Sequence, residues 1–257
     1  MFQSINPKFE KGRILKSEML ESIRDFPRSV VNIMLEGETN GIVTGAKIEI
    51  IEEGTILIQP GILLMDDVIY VSQEAMKVQY HCNNQLTYLK VKCGGETREK
   101  DYNRAISQIV LEDTPCKPDE LELCRFKLRE GAKLRGKHTD FNDLNTEFDT
   151  INRIHASYVC NGTNTLAPEV LLTYVTELVQ CQNLEAMDYS FCFLVKQNKG
   201  YVDGQVVQDY LVLSGMEGNI SDRLAIYQML ENLLQQKKQS MGPTSKEEFF
   251  QNAILLD

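Results

Sequence analysis

The sequence predicts an α+β protein: an N-terminal helix, then an antiparallel β sandwich or small barrel, then an all-α C-terminal region. Three observations carry this. Apolar residues recur at spacings of three and four from Lys16 to Glu36, the period falls to two from Asn40 to Leu128, and it returns to three and four after Thr139. The segmentation that follows is a helical arm over 1–39, a β module over 40–138 and a helical domain over 139–257.

In the arm, Met19, Leu20, Ile23, Phe26, Val30, Ile33 and Met34 mark one helical stripe. Ser17 is placed as its N-cap and Gly37 as its stop, and Pro27 is expected to kink or split it. In the β module, Ala46, Ile48 and Ile50 alternate with Lys47 and Glu49, and Ile56 and Ile58 with Leu57 and Gln59. Glu53-Gly54 supplies a tight turn between these strands, Pro60-Gly61 breaks the second, and the pattern resumes around Asp66-Asp67. Further strands are expected at Ala75–Tyr80, Leu86–Cys93, Ala105–Leu111 and Leu121–Leu128, separated by Asn83-Asn84, Gly94-Gly95 and Pro115/Pro118. Beyond Gly136, Phe141, Leu144, Phe148, Ile151 and Ile154 predict an amphipathic helix begun near Thr139 or Asp140. Pro168 opens the next helix, Leu184–Gln197 and Gln205–Leu213 follow, and a longer one starts at Asn219 or Ser221 and ends before Gly242-Pro243.

Composition narrows the function classes. A chain of 257 residues with 42% hydrophobic and 25% charged residues can bury a core, which argues against disorder, collagen-like repeats and coiled-coil fibres. Its seven cysteines are scattered, odd in number and never spaced C-x-x-C, so they predict buried thiols in a reducing compartment rather than a disulfide framework or zinc site. There is no run of roughly 20 apolar residues, and the first fifteen residues lack a hydrophobic signal core, so synthesis in the cytoplasm and no membrane insertion are expected. The formal charge of −10 is uneven: Met1–Thr139 carries 20 Lys/Arg against 21 Asp/Glu, and Asp140–Asp257 carries 7 against 16. Such acidity disfavours nucleic acid as a partner.

Nucleophile-elbow, phosphate-loop, zinc-helix, dinucleotide and calcium-loop motifs are all absent from the sequence. His81, His138 and His155 read as structural or surface residues, and the acids Asp140, Asp143, Glu147 and Asp149 as the solvated face of the expected helix. No catalytic residue, metal or cofactor is expected. Arg125, Lys127 and Arg129 alternate with Cys124, Phe126 and Leu128, which puts three cations on one strand face; Lys133, Arg135 and Lys137 extend the patch. Two readings remain open for it: a solvated face packed near the acidic helical half, or a contact with an acidic neighbouring subunit in which Asp140, Asp143 and Glu147 also take part. Nucleic acid ranks below both, because only Phe126 is interleaved with the cations.

The run NGIVTGAKIEIIEEGTILIQPGILLMDDVIYV, from Asn40 to Val71, resembles a module of tail-fibre bases and baseplate proteins of phages and phage tail-like contractile particles of the Gram-positive prophage type. Its glycines Gly41, Gly45, Gly54 and Gly61 fall at corners that need positive φ or close backbone approach. The stretch ELELCRFKLREGAKLRGKHTDFNDLNTEFDTINRIH is similar to the junction from that module to a helical region. The resemblance implies a structural, non-enzymatic baseplate or tail-fibre-attachment subunit. It would be present in several copies, with itself and other tail subunits as partners and no cofactor, assembled into a virion-like or tail-like particle. The alternative is a carbohydrate or receptor reader at the tail tip, weakened by the absence of Trp. A hydrolase using Asp143, Glu147 or His155 ranks third.

Overall fold

The computed structural model describes residues 4–162, 164–218, 220 and 222–239. The chain divides into two compact units, Met1–Glu38 and Thr39–Asp257. The expected cap residues Asn219 and Ser221 and the Gly242-Pro243 stop lie outside the described residues.

In the first unit, α1 spans Ser17–Met34 and runs through Pro27 without a break. Pro27 has no N–H to give the carbonyl of Ile23, and on a helix that buries none of its residues water can satisfy that carbonyl. Lys16, not Ser17, occupies the N-cap, without a side-chain hydrogen bond.

The second unit begins with strands β1 (Gly41–Gly45), β2 (Ile48–Glu52), β3 (Thr55–Ile58), β4 (Gly61–Met65), β5 (Val68–Ser72) and β6 (Met76–Gln79). They form two three-stranded antiparallel sheets, ordered β1-β4-β5 and β2-β3-β6. Met65 pairs with Val68, so Asp66 and Asp67 form a two-residue hairpin turn, and their φ values of 48° and 62° are those a twisted hairpin requires. Crossing from β3 to β4 moves the chain from one sheet to the other at Gln59-Pro60-Gly61. This corner is crowded: at Gly45, with φ 72°, a Cβ would lie 2.2 Å from the Pro60 carbonyl oxygen.

After β7 (Leu86–Cys93), the short β8 (Thr97–Arg98) and β9 (Asn103–Arg104) make a two-stranded ribbon. Strands β10 (Ser107–Glu112) and β11 (Glu120–Lys127) then flank β7 in a third antiparallel sheet ordered β10-β7-β11. None of the sheets closes into a barrel.

Helices α2 (Pro168–Leu178), α3 (Ala186–Gln197), α4 (Gly204–Leu213) and α5 (Arg223–Gln239) complete the described chain. Pro168 stands in the first turn of α2, where its missing N–H costs nothing. Glu185 and Asp188 form a reciprocal capping box on α3, and Asp203 caps α4. Sheets and helices share one core, running from Ile42 and Ile56 through Leu89, Leu123 and Phe126 to Val170, Tyr174, Leu211 and Leu230. None of the seven cysteines is in a disulfide; four of them, Cys124, Cys160, Cys181 and Cys192, are buried.

One expected helix does not form. Between Thr139 and Ile154 the helical backbone is limited to a single 3-10 turn, Asn142–Asn145. Asp143 accepts hydrogen bonds from the backbone N–H of Thr139 and the hydroxyl of Thr146, and Asp140 accepts from the backbone N–H of Asp143. These local bonds offer the backbone an alternative to the helix. Four of the five expected apolar positions are nevertheless buried: Phe141, Leu144, Ile151 and Ile154 lie in the core, whereas Phe148 is half-buried.

Candidate functional site

The basic strand and the segment that replaces the expected helix are partners. Beyond the pairing of β11 with β7, the N–H of Arg125 bonds the carbonyl of Asn152 at 2.9 Å and the N–H of Asn152 bonds the carbonyl of Arg125 at 2.8 Å. The N–H of Asp149 reaches the carbonyl of Lys127 at 2.8 Å, and the N–H of Ile151 that of Arg135 at 2.9 Å. Residues 150–152 thus lie between β11 and the loop containing Arg135, with Asp149 turning into them at φ 59°, which places acids beside the cations.

The side chains follow. Arg129 donates from Nε to Asp149 Oδ2 at 2.8 Å, and its backbone N–H donates to Asp149 Oδ1 at 2.9 Å. Lys127 meets Glu147 at 3.1 Å and also stands over the Phe148 ring, 4.5 Å from its centroid. Arg135 grips Asp143 with two hydrogen bonds of 2.6 Å, and Lys133 lies 3.2 Å from Glu53. Arg125 turns to Glu122 on its own strand through bonds of 2.6 and 2.7 Å, and packs 4.9 Å above Tyr88. Lys137 and Asp140 are exposed.

Charge states match this pairing. The hydrogen-bonded Arg135 guanidinium holds the Asp143 carboxyl well below the usual range, and Arg129 lowers the pKa of Asp149. Burial opposes the charge on Arg125, but Glu122 outweighs it and its pKa is raised. The surface is therefore a ridge of fixed opposite charges. Exposed pairs of this kind contribute about 0–1 kcal/mol each, so they orient side chains more than they stabilise the fold.

The candidate catalytic groups are not assembled. Asp143 is committed to Arg135 and Glu147 to Lys127. His155 is half-buried, with its pKa lowered by burial and then by Arg125. The Nε2 of His138 lies 2.8 Å from the carbonyl of Ile151, and His81 is exposed just beyond β6. Among the described residues, no group of three or more His, Cys, Asp or Glu side chains could hold a metal. A cavity of about 200 Å³ in the β region is lined largely by apolar residues such as Ile58, Leu63, Tyr70 and Leu123. No described helix is long and apolar enough to cross a membrane.

Five buried charged residues, Lys90, Arg153, Asp188, Glu120 and Glu122, escaped the sequence reading. Lys90, fully enclosed in β7, lies 2.8 Å from Glu120 and 3.0 Å from Glu112 and donates to the carbonyl of Thr114. Arg153 donates to the carbonyl of Leu123 and the hydroxyl of Tyr158, and forms an ion pair with Glu169 at 2.5 Å that lacks hydrogen-bond angles. Asp188 accepts from Tyr210 and Lys237, both at 2.8 Å. A signal existed for the first: Lys90 and Lys92 share a face of β7, and Glu112, Glu120 and Glu122 stand on the flanking strands.

No family model matches the sequence, and no curated protein matches it either. Among solved structures, the chain is similar to a crystal structure of TssK at 11% identity and a TM-score of 0.42, covering 95% of this chain and 70% of that one. It is also similar to a chain of the type VI secretion system TssK-TssF-TssG baseplate subcomplex determined by cryo-electron microscopy, at 12% identity and a TM-score of 0.41, covering 91% of this chain and 100% of that one. Likeness at this level assigns neither fold family nor function.

Proposed function

We propose that the chain is a structural, non-enzymatic subunit of the baseplate or tail-fibre attachment region of a phage tail or phage tail-like injection particle. It acts there through contacts with neighbouring subunits and with copies of itself. The observation that carries this reading is the Asn40–Val71 module, whose sequence resembles that of baseplate and fibre-base proteins and whose Gly41, Gly45 and Gly61 sit where backbone meets backbone. A Cβ at Gly41 would lie 2.7 Å from the Tyr158 carbonyl carbon, and one at Gly61 2.5 Å from the Ala46 nitrogen. Such corners support a scaffold role, because they join main chain to main chain.

The contact surface proposed for neighbouring subunits is the ridge of Arg125, Lys127, Arg129, Lys133, Arg135, Lys137, Asp140, Asp143 and Glu147. Its alternating fixed charges suit a partner of complementary pattern, giving register and selectivity rather than bulk affinity. Deletion of the gene followed by electron microscopy of the particles tests the reading: particles should lose their distal end plate or fibres. Complete, infective or injecting particles without this chain would refute it.

A further inference from the structure

We infer that α1 is an assembly helix, packing its apolar face against the same helix in two or three other copies of this chain. Met19, Phe26 and Ile33 are spaced by seven, as are Leu20, Pro27 and Met34, and as are Ile23 and Val30. On a straight helix a seven-residue row drifts by about 20° per heptad, so along the length of α1 these rows stay together as one continuous apolar face. Leu20 falls at the first core position of the heptad and Ile23 at the second, a combination that favours three or four strands over two. The row of Met19, Phe26 and Ile33 widens the face beyond a two-stranded seam.

Area and charge point to the same occupant. Seven apolar side chains of α1, from Leu20 to Met34, are 39% to 74% exposed. That is on the order of 700 Å² of surface, close to the ~800 Å² each partner contributes to a standard interface. The arm also carries six cations (Lys8, Lys11, Arg13, Lys16, Arg24, Arg28) and six acids (Glu10, Glu18, Glu21, Asp25, Glu36, Glu38), a net of zero, so the remaining residues hold the whole −10. Copies of the arm can converge without the mutual repulsion that opposes close approach of the acidic bodies. Glu18, Asp25 and Asn32 recur at seven on the opposite side, as an outer face requires.

This inference shares with the proposed function only the expectation of several copies, and its test needs no particle. Sedimentation velocity of the purified full-length chain should give three or four times the 29.3 kDa monomer mass. Ile23→Asp combined with Val30→Asp should reduce it to one, with the thermal transition of the globular unit unchanged, while Asp25→Ser on the outer face should leave the assembly intact. Pro27→Ala, which restores a helical hydrogen bond, should lower the dissociation concentration by at least about tenfold, a gain that misfolding cannot produce. A chain that is monomeric at tens of micromolar would overturn the inference, as would a double variant of unchanged mass. So would a monomer that uses this face only when a different subunit is added. Particles that assemble completely without the chain would refute the baseplate reading and leave this one standing.

Discussion

Substituting Lys90 by methionine removes a charge while nearly preserving shape, so the effect reads the buried ion network rather than a cavity. The Lys90 side chain is wholly enclosed, and the Glu120 side chain facing it at 2.8 Å is 2% exposed. Removing one member of a buried pair costs about 3–5 kcal/mol, because the other charge is left without compensation. Glu120 would keep the backbone N–H of Lys117 at 3.0 Å and a distant Lys92 at 3.7 Å, which places the expected loss near the lower bound, at about 3 kcal/mol. Urea denaturation followed by circular dichroism would measure it as a lowered midpoint at constant slope. Adding Glu120→Gln to Lys90→Met should recover part of the loss. A deficit below about 1 kcal/mol, or a double variant less stable than the sum of the single ones, would refute the reasoning. The network also fixes the sign of an acid effect. Lys92 and Lys90 hold the Glu112 carboxyl down to about 2 from its ordinary 4.5. Burial opposes the charge on Glu120, but Lys90 and the Lys117 N–H outweigh it, and its pKa too is lowered. Both folded-state values lie below the unfolded ones, so this stabilisation is complete above about pH 4.5 and is lost as pH falls towards 2. In Lys90→Met that slope should be shallower.

Gly41→Ala should destabilise by about 1–3 kcal/mol, since the atoms its Cβ would meet belong to the backbone of Ser157, Tyr158 and Val159 and cannot swing away; thermal melting would show it. Tyr227→Phe deletes the bond from its hydroxyl to the Phe141 carbonyl, 2.6 Å long and buried, and should cost about 1–2 kcal/mol in chemical denaturation with the aromatic stack on Phe141 retained. Asp188→Ala removes the acceptor for Tyr210 and Lys237 and half of the α3 capping box, for a loss of about 3 kcal/mol. Because the Lys237 side chain is 14% exposed and has Glu185 at 3.6 Å, Lys237→Met in that background should restore little.

The parts of this fold that could be read from the sequence are those where a local rule decides. Helices α2 to α5 follow their apolar period, and the Asp66-Asp67 turn follows from two residues between alternating runs. Sheet membership is different in kind. β4 pairs with β1 and β3 with β6, and no period-two pattern states which strand lies next to which. At 141–154 the pattern correctly marked what is buried and misplaced the backbone, because Asp140, Asp143 and Thr146 bond locally and Asp149 and Asn152 pair with β11. The same non-local pairing decided the candidate site. Alternation put Arg125, Lys127 and Arg129 on a strand, but the carboxylates that meet Lys127 and Arg129 lie 20 residues away along the chain and were expected on a helix.

The two surfaces proposed for assembly differ in how salt should act on them. The ridge from Arg125 to Glu147 already satisfies most of its charges within the chain, so a partner must replace existing pairs and gains chiefly orientation. Contacts made there should weaken as ionic strength rises, since exposed charges are screened beyond about 8 Å at physiological salt. The face of α1 is apolar, and burial of apolar surface is not screened; sulfate strengthens it. Self-association through α1 should therefore survive, or tighten in, salt that releases a neighbour held by the ridge. If self-association were abolished by about 0.5 M NaCl, the ridge rather than α1 would be the joint between copies.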